Sequence, residues 1–271
     1  MAGVGSYAGP ARAPALQRML QSRLSIRLIQ AVIVAGFLAL WQIQASSDPY
    51  WTMVFSTPEL VVHRLATWLP DAGWWNHLGV TLLEAGLGYA LGLAIALILV
   101  AAFAANPWLA RFASPFIGAL SALPKIALAP LFIFWFGVTL QAKAYFVASL
   151  ICFIIFHGVN TGLRTIDRTL VDNMRLFGAS RFEMVRDLYV PAIVTWLIGS
   201  LRLSSAWALV AAVVGEYLGS NKGIGYLIAT GQQVLQTDVV VAGILVAATI
   251  AVTLDRLLVV AERAMSKWRA F

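Results

Sequence analysis

Charge is scarce in this sequence: Asp, Glu, Lys and Arg make up 11% of 271 residues, where a soluble domain carries about a quarter. Cysteine is nearly absent. The lone Cys152 excludes an internal disulfide and says nothing of redox compartment. The three histidines, His63, His77 and His157, lie far apart without ligand spacing, so no metal site is expected. No Ser, His and Asp grouping suggests a hydrolase. No Gly-x-x-x-x-Gly-Lys-Ser/Thr loop occurs, which removes the usual phosphate cradle for ATP. Gly86-Leu87-Gly88 and Gly92 superficially resemble a nucleotide motif. They fall in an apolar run, where small residues mark close helix packing. No short internal repeat and no low-complexity segment is present. No catalytic residue and no bound cofactor are expected.

What the chain does have is apolar length. It is 61% hydrophobic, with 10 Trp and 21 Gly, a composition that suits a bilayer, where Trp favours the interface and Gly allows helices to approach. Six spans are read, at about 26–44, 80–104, 114–136, 142–159, 191–214 and 239–260, each near the ~20 residues a bilayer needs. Pro115, Pro124 and Pro130 predict kinks or an irregular start in the third. No small-residue cleavage site follows Arg12, Arg18, Arg23 and Arg27, so the first span is read as a retained anchor. Thr57-Pro58-Glu59 is a helix start, and the apolar face over 58–69, with Trp51, Trp68, Trp74 and Trp75 nearby, predicts a short amphipathic helix at a membrane surface.

The net charge of +7 could suggest nucleic acid. Its distribution argues against that partner, because Lys and Arg fall between the spans. With both termini cytoplasmic, inner segments hold Arg12, Arg18, Arg23, Arg27, Arg111, Arg164, Arg168, Arg175, Arg181, Arg186, Arg256, Arg263, Lys267 and Arg269. Outer segments hold only Arg64, Lys143 and Lys222, and Lys125 and Arg202 stay within spans. The excess fixes the expected orientation.

One polar stretch, Asp172 to Pro191, stands apart from the apolar runs. Ser180-Arg181-Phe182-Glu183 is a capping box, which predicts a helix from Arg181 toward Tyr189. Gly178 permits a sharp reversal out of a preceding helical piece, and Pro191 opens the fifth span. Read on chemistry alone, the stretch is equally a basic loop that merely orients the protein.

Its spacing resembles the cytoplasmic signature of permease subunits of ATP-binding-cassette importers: Glu-Ala-Ala, three residues, Gly, nine residues, then Ile, any residue, Leu-Pro. Here Asp172-Asn173-Met174 precede Gly178 by the same interval, and Leu188-Tyr189-Val190-Pro191 complete it. Gly178 and Pro191 match in register; Asn173 and Met174 depart from the alanines. The motifs Thr81-Leu-Leu-Glu84 with Gly88-Tyr89, Leu123-Pro124-Lys125 with Pro130-Leu131-Phe132 and Trp135-Phe136-Gly137, and Gly215-Glu216-Tyr217-Leu218-Gly219 with Gly223-Ile224-Gly225-Tyr226 are similar to the branch for nitrate, sulfonate, taurine and bicarbonate. Importers of pyrimidine precursors and riboflavin share that branch.

The resemblance implies an all-α fold of the type I importer permease, with six transmembrane helices and a coupling helix between the fourth and fifth. It implies residues 1–24 as a cytoplasmic tail, 25–79 as first span plus periplasmic amphipathic helix, 80–262 as permease core with coupling segment 165–190, and 263–271 as a second cytoplasmic tail. It implies a bacterial inner-membrane location and two copies of a partner ATPase, which alone would use ATP and Mg. A periplasmic binding protein and a second permease chain, expected as a homodimer, complete the assembly. Coupling is expected at Asp172, Arg175, Gly178, Ala179, Ser180, Arg181, Glu183 and Pro191.

Ionisable groups in or beside spans carry a further reading, because charge in hydrocarbon costs roughly 2.5–3.5 kcal/mol or more. Glu84, Lys125, Arg202 and Glu216 are the candidates for a translocation path. The competing reading is structural: snorkelling, or interhelical salt bridges with Glu84 or Asp255 as partners. The alternative to an ATP-driven importer is a secondary transporter or channel, for which the internal repeat common in such folds is missing.

Overall fold

The computed structural model describes residues 23–266, with side chains from 25 to 260. Of the expected tails, 1–24 and 263–271, residues 1–22 and 267–271 lie outside the described ones. Among these the chain is helical and contains no strand. It divides into two units, one ending at Leu60 and the other starting at Val61.

The first unit holds α1 (Arg23–Ala45) and α2 (Pro49–Phe55). Phe37, Leu40 and Ile43 on α1 are exposed, as befits a helix meant for hydrocarbon. The sequence reading missed α2. It starts because Asp48 accepts the Tyr50 amide at 2.7 Å and Pro49 presets the first turn. The Trp41 indole then donates to the Ser56 carbonyl at 3.2 Å, and the Thr52 hydroxyl to that of Ala45 at 2.6 Å. The amphipathic helix expected at 58–69 is present as α3 (Pro58–Trp68), and Thr57 accepts the Leu60 amide at 3.2 Å.

In the second unit, α4 (Ala72–Ala105) begins two turns before the expected start at Val80, because Asp71 caps the amides of Gly73 and Trp74. Its 34 residues make roughly 50 Å of helix, longer than the ~30 Å hydrocarbon layer. Next, α5 (Pro107–Ala122) starts from Asn106, which accepts the Trp108 and Leu109 amides. The expected single span 114–136 is corrected here. Leu123 is extended ahead of Pro124, a tight turn follows at Lys125–Leu128, and α6 (Ala129–Phe136) leaves at 85° to α5. Proline disfavours the helical conformation for the residue before it; Leu123 adopts the extended one at φ −66°, ψ 136°, so the helix stops there, whereas Ala129 and Val190 stay helical ahead of Pro130 and Pro191.

The centre of the unit is α7 (Leu140–Arg164), with Phe146, Val147, Ile151, Ile155 and Val159 fully buried. It lies close against α4. A Cβ at Gly88 would come within 2.7 Å of the Ala144 carbonyl oxygen, and one at Gly92 within 2.8 Å of that of Ala148. The glycines therefore set the helix separation, as expected of small residues in membrane spans. After α8 (Arg168–Leu176) and α9 (Arg181–Met184), a π-helical turn at Val185–Tyr189 leads into α10 (Val190–Leu218). Pro191 supplies no amide, and the Val190 amide bonds to the Val185 carbonyl instead, widening the turn. The helix that the capping box starts at Arg181 is thus continuous with the fifth span. Last come α11 (Ile224–Gln233), read from the sequence only as a Gly-rich segment, and α12 (Thr237–Ser266).

Among the described residues, five helices are long and apolar enough to cross a membrane, and the count is six if the bent pair α5 and α6 is one broken span rather than a re-entrant loop. Five of the six expected spans are present as long helices, and the third is the bent pair α5 and α6.

Candidate functional site

Two of the four ionisable candidates meet in one buried cluster. Glu84 on α4 pairs with Lys143 on α7 at 2.5 Å, their side chains 1% and 6% exposed. Glu216, near the end of α10, accepts the Thr81 hydroxyl at 2.7 Å through one oxygen and the Gly225 amide at 2.7 Å through the other. Thr81 in turn accepts the Ile224 amide at 2.8 Å, the Gly223 amide donates to His77 Nδ1 at 3.0 Å, and Lys143 donates to Ser220 at 2.8 Å. One ammonium, two carboxyls and the first amides of α11 are therefore tied together across α4, α7, α10 and the α10–α11 turn. Gly223 has φ +108°, and a side chain on it would strike the Glu216 carboxyl. The glycine pair is what lets the turn wrap that carboxylate.

Lys143 was expected in an outer segment. The structure places it in the first turns of α7, because Thr139 accepts the Ala142 amide at 3.1 Å and starts the helix early. A Thr followed by a helix-forming run was the signal available for it.

The other two candidates do not join the cluster. Arg202 on α10 makes a two-pronged bond to Asp255 on α12, at 2.7 and 3.2 Å, one of the interhelical bridges the structural reading allowed. Lys125 sits at the α5–α6 break. Its ammonium donates to the Ser121 carbonyl at 3.1 Å and lies 4.7 Å from the Phe153 ring centre. Beside it, the Ser121 hydroxyl and His157 Nε2 are 2.5 Å apart.

The polar stretch forms a third region. Asp167 caps α8 by accepting the Thr169 amide at 2.8 Å, which holds its carboxyl below the usual carboxylate range. Asp172 and Arg175 share one face of α8, 4.0 Å apart. Gly178 turns the chain at φ +78° with open space around it. The capping box closes on both sides: the Ser180 amide donates to Glu183 at 2.7 Å and the Glu183 amide to Ser180 at 3.3 Å. Ala179 and Arg181 fill the turn and first helical position, and Pro191 lies in the first turn of α10. The sequence reading passed over Leu176, Phe177 and Phe182. Phe177 is 91% exposed and Leu176 83%, in a segment otherwise polar.

The model of the family described as "Binding-protein-dependent transport system inner membrane component" matches residues 88–267. The chain is 30% identical over 243 residues to the putative aliphatic sulfonates transport permease protein SsuC of Escherichia coli strain K12, covering 90% of this chain and 92% of that one. It is 33% identical over 234 residues to the riboflavin transport system permease protein RibX of Chloroflexus aurantiacus, covering 86% and 87%. In fold it is similar to a chain in the crystal structure of an amino acid ABC transporter with histidines, at 17% identity and TM-score 0.57, covering 75% of this chain and 96% of that one. The chain belongs to the binding-protein-dependent transport system inner membrane component family, the membrane permease subunits of ATP-binding-cassette importers, whose ATP hydrolysis resides in a separate subunit.

Proposed function

We propose that this chain forms the membrane path of an importer for a small organic anion of the sulfonate class, and that the power stroke enters it through residues 165–190. One observation carries the coupling half of this reading. The exposed tip at Leu176, Phe177 and Phe182 sits beside a helix that runs unbroken from Arg181 to Leu218. A push on such a tip is transmitted as a rigid-body displacement. The cytoplasmic side is the one bearing Arg164, Arg168, Arg175, Arg181 and Arg186, with both termini on it. Two ATPase copies, each seated on one such tip, drive two identical permease chains, and a periplasmic binding protein delivers the solute.

In this reading Asp172, Arg175, Gly178, Ala179, Ser180, Arg181, Glu183 and Pro191 build and aim the tip, and the three apolar side chains enter the ATPase. Residues 1–24 and 263–271 are cytoplasmic tails, 25–79 carry the anchor and surface helix, and 80–262 form the core. Lys125 borders the path, Glu84 and Glu216 brace its outer end, and Arg202 holds α12 to α10. No cofactor is bound by this chain; ATP and Mg act in the partner. The sulfonate assignment is supported by the 30% identical permease that spans 90% of this chain and by Lys125, which meets no carboxylate among the described ion pairs. The 33% identical riboflavin permease supports a second reading, a flavin-sized solute.

The test is reconstitution with ATPase and binding protein in liposomes. Phe177→Asp should abolish co-purification of the ATPase and ATP-driven uptake. Uptake by the permease alone, or an ATPase that still binds the variant, would sink the coupling reading. Thermal shifts of the cognate binding protein with methanesulfonate and with riboflavin separate the two solutes.

A further inference from the structure

Beyond the Lys125 corner, α7 carries a row of polar side chains. His157, Asn160, Thr161 and Arg164 fall at spacings of three and four, which puts them on one helix face. That face and Ser114 of α5 line an open cleft of about 250 Å³ with Phe103, Ile117 and Phe156 on its walls; Ser114, His157, Thr161 and Arg164 are exposed in it and Asn160 is half-buried. No carboxylate lines it. Groups of this kind in a membrane span face a cavity or a partner rather than lipid.

The lining specifies its occupant. A guanidinium, an amide, two hydroxyls and an imidazole whose Nε2 meets Ser121 line it from two helices, beside aromatic walls suited to a short apolar tail. Such a lining fits a compact oxyanion, with the guanidinium fork matched to two of its oxygens. The volume of about 250 Å³ lies below the ~300–1,000 Å³ of drug-sized sites, a size suited to a compact group. Small residues of α5, Ala110 and Gly118, keep the space open.

We infer that this cleft is an anion-binding site for a sulfonate- or phosphate-type group, held by Arg164, Asn160, Thr161, Ser114 and His157. It rests on the anion reading above for ligand class only. Arg164 ends α7, and α8 starts at Arg168, so an anion bound here sits less than two turns of chain from the proposed coupling segment. The anion comes either from solute in transit or from a phospholipid headgroup.

Binding to the purified permease–ATPase complex, without binding protein, separates this site from the transport reading. In nanodiscs of phosphatidylcholine, methanesulfonate should raise the melting temperature saturably. Arg164→Gln and Asn160→Leu should weaken half-saturation at least tenfold, while co-purification of the ATPase reports that each variant folds. Ser114→Val, on the facing helix, should weaken it too. In nanodiscs containing phosphatidylglycerol, an Arg164-dependent stabilisation without any methanesulfonate response assigns the site to the bilayer headgroup. Absence of both responses, or responses equal in wild type and variants, overturns the site. The coupling reading can fail in the uptake assay with this binding intact.

Discussion

The ammonium of Lys143 stands 2.5 Å from the Glu84 carboxylate, joining α7 to α4 with both side chains buried. Removing one partner of a buried pair leaves an uncompensated charge and costs about 3–5 kcal/mol, whereas replacing both leaves a shape-matched neutral site. Lys143→Met should therefore lower the melting temperature of the detergent-solubilised complex sharply. Glu84→Gln combined with Lys143→Met should recover most of the loss. A double variant as unstable as the single would show that Lys143 acts through Ser220 or Glu216 rather than through Glu84.

The α4–α7 contact makes a second, purely steric prediction. At Gly92 an added Cβ already lies 2.9 Å from the Ile151 Cβ as well as 2.8 Å from the Ala148 carbonyl. Overpacking of this kind typically costs 1–3 kcal/mol. Gly92→Leu should destabilise the core, read as loss of monodisperse protein after solubilisation. Gly86→Leu, where a Cβ would meet nothing within 4 Å, should be tolerated. Equal behaviour of the two variants would argue that the helices are not packed as described.

The start of α8 should respond to acid. The Thr169 amide, donating to Asp167, holds that carboxyl below its usual range. A group depressed in the folded state stabilises above its unfolded value and loses that contribution as pH falls through the folded one. Amide exchange over Arg168–Leu176 should therefore quicken as pH drops below about 4 relative to the intrinsic rate. Asp167→Asn, which keeps an N-cap acceptor, should flatten that dependence. An unchanged profile in the variant would assign the acid response to another group.

How much could be read beforehand follows the range of each interaction. Ser180 and Glu183 are three residues apart, so their capping box was legible as a local pattern. The three prolines announced irregularity, yet only the extended Leu123 before Pro124 decides that the chain turns through 85°. Glu84 and Glu216 were singled out as costly charges, but their neighbours come from other helices; Lys143, at the edge of the expected span 142–159 and counted with the outer segment, is tied to Glu84 by a contact no local pattern shows. The α11 helix was missed because its glycines, which bring Gly223 and Gly225 against the Glu216 carboxyl, read locally as a loop. Leu176 and Phe177 were overlooked because apolar residues draw no notice in an apolar chain; they stand out by being exposed within the polar stretch between α7 and α10.

Arg202 and Asp255 offer the clearest separation of a brace from a path residue. The guanidinium reaches both carboxylate oxygens, joining α10 to α12, and that geometry is specific to arginine. If the pair serves as a brace, Arg202→Gln and Asp255→Asn should impair ATP-driven uptake of an aliphatic sulfonate to a similar extent, with the ATPase still co-purifying. The charge-reversed pair, Arg202→Asp with Asp255→Arg, should regain uptake to within about threefold of wild type, since a difference of ~0.6 kcal/mol is all that a re-formed bidentate bond need lose. Contact between Arg202 and the solute would give the opposite pattern. Asp255→Asn would then transport normally, Arg202→Gln would not, and the reversed pair would place a carboxylate against an anion and stay inactive.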